Sequence, residues 1–114
     1  MNVLVAIHDM MFSSKVTAAL GGKKVNWLKR GSNVANEVAA TKPDVLLIDL
    51  AAPALDSVNA IKAIKEGDSK ATMIIGYIDH TREDIMTAAR AAGCDQVLSK
   101  GEFARRLPEF LQGI

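Results

Sequence analysis

Three short apolar runs in this chain each end in a polar group able to do chemistry: His8-Asp9 after Asn2 to Ile7, Asp49 after Val45 to Ile48, and Lys100 after Asp95 to Ser99. Asp49 stands out. The run before it is unbroken, preceded by Lys42-Pro43 and stopped by Pro53, and reads as a strand buried on both faces. Packing does not place a carboxylate there, because burying an unpaired charge costs several kcal/mol and its sequence neighbours offer no partner. Two carboxylates with an ammonium nearby make a compact place for a hard divalent cation and a phosphoryl group. Oxygen ligands suit magnesium, and a lysine acts on phosphate as a point charge.

These groups meet only if the elements bring them together. Asn2 to Ile7 reads as a first buried strand, followed by a helix with Ser13 and Ser14 as N-cap, Val16, Ala19 and Leu20 inward, and Gly21-Gly22 as its stop. Lys23 to Lys29 carries charge at both ends and reads as an edge strand. Gly31-Ser32 opens a second helix with Val34, Ala35, Val38 and Ala39 on one face, ending near Thr41 ahead of Pro43. After the central strand, Leu55 to Glu66 presents Val58, Ile61 and Ile64 as a helical stripe, and Thr72 to Ile78 is a fourth strand. His80-Thr81 begins another helix, with Ile85, Ala88, Ala89 and Ala92 inward before Gly93. A fifth strand, Asp95 to Ser99, leads to a last helix from about Glu102 that buries Phe103, Leu107, Phe110 and Leu111, with a kink or fresh start at Pro108.

Five strands alternating with five helices, joined by right-handed crossovers, predict one α/β domain over residues 1–114: a doubly wound parallel sheet with helices on both faces. In the flavodoxin-like strand order 2-1-3-4-5 the first, third and fifth strands lie near the switch point, and ligands bind at the carboxyl ends of such strands. Composition agrees. Hydrophobic residues make up 49% but aromatics only 4%, so the core must be aliphatic. Fourteen basic against thirteen acidic residues give +1, with no global attraction to nucleic acid or an anionic membrane. The single cysteine, Cys94, excludes an internal disulfide and reads as a buried small residue. No apolar run reaches the ~20 residues of a membrane span and the N-terminus lacks a signal peptide's basic region, so a soluble, cytoplasmic protein is expected.

At these residues the chain resembles, over essentially its whole length, the receiver domain of bacterial two-component response regulators, the family of the chemotaxis regulators. In that family an acidic pair ends the first strand, and this sequence offers His8-Asp9. The phosphoacceptor position falls on Asp49 with Pro53 four residues on, a further common acid on Asp56, and the family lysine on Lys100, after Ala92-Gly93. The resemblance implies magnesium held by Asp9, Asp49 and the backbone carbonyl of Ala51. It also implies a phosphoryl group passed to Asp49 from a histidine kinase or phosphotransfer protein, and output through a downstream protein partner. Four positions depart from the pattern. His8 replaces a carboxylate and weakens the magnesium site; Tyr77 stands at the Thr/Ser switch position, Val97 at the aromatic rotamer position, and Gly101 where proline usually follows the lysine.

Plainer readings stand beside these. Asp49 could cap the loop after its strand, Lys100 could form a structural salt bridge with Asp49, and Asp9 could supply charge to the first helix. His8 reads as surface or hydrogen-bonded, His80 as loop, and Tyr77 as a packed aromatic with its hydroxyl in solvent. Gly21-Gly22-Lys23-Lys24 follows a helix and lacks the spacing of a phosphate loop. The resemblance and composition together lead us to expect a stand-alone, non-enzymatic receiver-like domain, a monomer or weak homodimer, binding neither nucleic acid nor membrane. Its partner surface runs from Thr81 through the last helix, with Arg82, Arg90, Arg105 and Arg106. The alternative is a pseudo-receiver that binds partners without phosphorylation, which His8, Tyr77 and Val97 favour. A flavin-binding enzyme lacks the Ser/Thr/Gly-rich loop that would hold a flavin phosphate after the first strand.

Overall fold

A computed structural model describes residues 1–114. The elements run β1 (Val3–Ala6), α1 (Met10–Leu20), β2 (Asn26–Trp27), α2 (Val34–Thr41), β3 (Val45–Asp49), a 3-10 turn (Pro53–Leu55), α3 (Ser57–Glu66), β4 (Met73–Ile78), α4 (Glu83–Ala92), β5 (Gln96–Ser99) and α5 (Lys100–Phe110). All five strands are parallel, in the order β2-β1-β3-β4-β5. This is the expected doubly wound sheet. No helix is long and apolar enough to cross a membrane.

Strand periodicity divides the core in two. Odd-numbered side chains of the inner strands, such as Val5, Leu47 and Ile75, pack against α1 and α5, while Leu4, Leu46, Ile48 and Ile74 pack against α2, α3 and α4. Because both faces are covered, β1 and the run Val45 to Ile48 are buried throughout. Asp49 shares the parity of Val45 and Leu47, so it lies at the top of the α1/α5 face.

Several boundaries differ from the sequence expectation, each for a local reason. α1 begins at Met10 because Asp9, rather than Ser13 or Ser14, is its N-cap, accepting from the Phe12 backbone N–H at 2.9 Å. Likewise α2 is capped by Asn33, one residue after the expected Gly31-Ser32. Only Asn26 and Trp27 of the Lys23 to Lys29 stretch pair with β1. The segment at Leu55 is a 3-10 turn, and Asp56 takes a left-handed conformation (φ 45°) before α3 starts at Ser57. Asp79 binds the Thr81 N–H and hydroxyl in a turn, which delays α4 to Glu83. In α4 the inward residues are Ile85, Met86, Ala89 and Ala92, while Ala88 faces outward. α5 starts at Lys100, capped by Ser99, and continues through Pro108 without interruption. Pro108 has no N–H to give the Ala104 carbonyl, so that one helical bond is absent, and the ladder closes again beyond it where the Leu111 N–H donates to the Leu107 carbonyl at 3.1 Å.

Candidate functional site

The site is the crest of the sheet where β1, β3 and β4 end. Asp49 is half-buried; its Oδ1 accepts the Ala51 N–H at 2.9 Å, and its carbonyl accepts the Ser57 hydroxyl at 2.7 Å. These bonds fix the turn after β3 and leave Oδ2 without a protein partner. Asp9 is exposed and spends Oδ1 on its capping bond to Phe12. Both the metal-ligand and the helix-charge readings of Asp9 thus converge on one carboxylate with a single free oxygen.

His8 is held away from this pair. Its Nε2–H donates to the Leu28 carbonyl at 3.0 Å, and the Arg30 guanidinium donates to the His8 carbonyl at 3.1 Å. A carbonyl only accepts, so the proton of that contact sits on Nε2.

Tyr77 departs furthest from expectation. Its hydroxyl was expected in solvent, yet the residue is 1% exposed and Oη is fully buried with no hydrogen-bond partner. The ring lies between Phe12 (centroids 4.4 Å apart, stacked) and Phe103 (4.6 Å, tilted) on the α1/α5 face. Its backbone pairs in register with Asp49. Burial first, then the charges of Asp49 and Asp9, hold the phenol far above its ordinary value of 10, so it stays protonated. The Asp49 carboxylate faces Oη, but no hydrogen bond of normal geometry closes between them.

Lys100 does not join the group. It is exposed in the first turn of α5 and forms no ion pair with Asp49, contrary to the salt-bridge reading. It adds only a small charge effect at Asp79, whose carboxyl is held below the usual range chiefly by the Thr81 hydrogen bonds, with His80 contributing as well. Asp79 is the acid that sequence reasoning missed. It follows the apolar run of β4 as Asp49 follows that of β3, which was the available signal. Val97 is half-buried beside Gly76 and packs in the α2/α3/α4 core, on the opposite face of the sheet from Tyr77.

No three His, Cys, Asp or Glu side chains converge as a metal-binding group. What remains for a hard cation is one free carboxylate oxygen each on Asp9 and Asp49, with the Ala51 carbonyl in the same turn. That donor set is all oxygen and fits magnesium in kind, but it is one carboxylate short and His8 cannot make up the difference.

No family model and no curated protein matches the sequence. Solved structures do match in shape. A response regulator from Hahella chejuensis superposes with a TM-score of 0.82 at 20% identity, over 97% of this chain and 92% of that one. A chemotaxis response regulator of Vibrio cholerae gives 0.77 at 21% identity, over 98% and 96%. The receiver domain of a Pseudomonas aeruginosa sensor histidine kinase, solved with magnesium coordinated in its active-site cleft, gives 0.76 at 19%, over 97% of each chain. The chain therefore has the receiver-domain fold. At these identities the likeness is one of fold.

Proposed function

We propose that this chain is a receiver-type signalling domain that accepts a phosphoryl group on Asp49 from a phosphohistidine of a partner kinase or phosphotransfer protein in the cytoplasm. The observation that carries this reading is the free Oδ2 of Asp49 at the carboxyl end of the central strand, with Oδ1 already oriented by Ala51 N–H. Oδ2 attacks phosphorus, the P–N bond breaks with its electron pair returning to the donor imidazole, and an acyl phosphate forms on Asp49. Lys100, exposed and free of any carboxylate, is the cation available to turn toward the phosphoryl oxygens. Asp9, Asp49 and the Ala51 carbonyl would hold magnesium, which supplies charge neutralisation for the transferring group. Output passes to a protein partner through the face of α4, β5 and α5. Arg90 and Arg105 are its arginines free of ion pairs, since Arg82 is paired with Asp84 and Arg106 with Glu102 and Glu109.

A second reading has its own support: a domain that binds partners without phosphorylation. The Tyr77 ring, clamped between Phe12 and Phe103, fills space that a moving switch residue would need. Incubation with phosphoramidate and magnesium, followed by intact mass, separates the two. The first reading predicts one added phosphoryl group, lost in Asp49→Asn. No uptake by the wild-type chain would overturn it and leave the second.

A further inference from the structure

The even overall charge hides a lopsided distribution. Between Asp9 and Glu37 the sequence holds five cations and no acid, so the formal +1 is the balance of +5 over this stretch and −4 elsewhere. Lys23, Lys24, Lys29 and Arg30 flank β2, are exposed, and take part in no ion pair. In their midst Trp27, the only tryptophan, is 40% exposed on the edge strand of the sheet. Lysines on an edge strand ordinarily keep other chains away. An exposed indole between them works against that purpose, because tryptophan and arginine are the residue types that anchor interfaces.

We propose that the β2 edge is a docking surface for an acidic segment of another protein bearing an apolar anchor, the anchor resting on Trp27 and its carboxylates on Lys23, Lys24, Lys29 and Arg30. β2 pairs only with β1, so its outer side is also open to an added extended segment. A short acidic peptide fits better than a nucleic acid. The cations of the patch are few and the rest of the chain is net −4, so the chain offers a longer phosphate backbone no overall attraction beyond the patch. The surface also connects to the candidate site, since Leu28 and Arg30 are the residues that hold His8.

Trp27 gives a direct readout. The full chain is titrated with a twelve-residue peptide alternating Glu/Asp with Leu/Phe, with its Lys-substituted counterpart, and with a twelve-nucleotide oligo(dT), following tryptophan emission and amide shifts. The acidic peptide should bind saturably, shift the amides of residues 23–30, and weaken ~10-fold or more on raising salt from about 0.05 to 0.3 M. The variant Lys23→Glu/Lys24→Glu/Lys29→Glu, which alters only exposed side chains, should lose ~10-fold or more with an unchanged far-UV spectrum. No saturable response to the acidic peptide, shifts mapping away from β2, equal binding of the Lys counterpart, or tighter binding of oligo(dT) would each overturn the proposal. None of these outcomes depends on whether Asp49 accepts phosphate.

Discussion

Replacing Tyr77 by Phe tests the most unusual feature of the core. The hydroxyl is buried with no partner, and mutational data place the cost of such a group at ~1–3 kcal/mol. Phe keeps the ring between Phe12 and Phe103, where each aromatic contact is worth ~0.5–1.5 kcal/mol beyond its buried area, and removes only the orphan oxygen. Tyr77→Phe should therefore stabilise the fold by about 1 kcal/mol, raising Tm by about 4 °C in a domain of this size. Urea and thermal unfolding followed by far-UV circular dichroism would measure it, the exposed Trp27 being a poor reporter of this site. Asp49 is the register partner of Tyr77, so the same substitution in an Asp49→Asn background separates the cost of the buried hydroxyl from any coupling to that carboxylate. A loss of ~1 kcal/mol or more that disappears with Asp49→Asn would show that the phenol donates to Asp49, and the reasoning would be wrong.

Burial pushes the Cys94 thiol from its ordinary 9.0 up to about 11. The folded thiol then keeps its proton to higher pH than the unfolded one, so its contribution is complete below pH 9 and is lost as pH rises toward 11. Wild type should lose ~2 kcal/mol more than Cys94→Ala across that window in urea melts, and parallel curves would contradict this. Asp9→Ala should cost ~1 kcal/mol as a lost helix cap, whereas Asp9→Asn should fold with wild-type stability, because asparagine caps equally well; equal losses would refute the capping role. In magnesium titrations followed by the Asp9 and Asp49 amides, His8→Asp should bind ~10-fold or more tightly than wild type, and unchanged affinity would mean that the missing carboxylate does not limit the site.

The sheet was legible because both of its faces are covered, so β1, β3 and β4 read as unbroken apolar runs whatever their neighbours. Helix starts were less so. At Asp9, Asn33 and Asp79 the side chain that binds backbone N–H groups precedes or follows the residue that propensity favours, and only the folded turn decides between them. Asp49 stands out in the sequence by position alone, at the end of an apolar run. Tyr77 was placed correctly in sequence but not in space: its exposure depends on Phe12 and Phe103, from two distant helices, closing over it. Lys100 follows the fifth strand as expected, yet the start of α5 at that position turns it to solvent. The basic surface around Trp27 was hidden by a net charge that averaged it away.

Adding beryllofluoride and magnesium, a mimic of the phosphoryl group on Asp49, and mapping amide shifts tests the central claim most directly. The account predicts a new set of shifts at Asp9, Asp49 and Ala51, with residues 76 to 100 little changed, because Tyr77 is clamped and Val97 has no ring to rotate toward it. An unchanged spectrum would contradict Asp49 as the acceptor. Large shifts running through β4, α4 and β5 would contradict the immobile core.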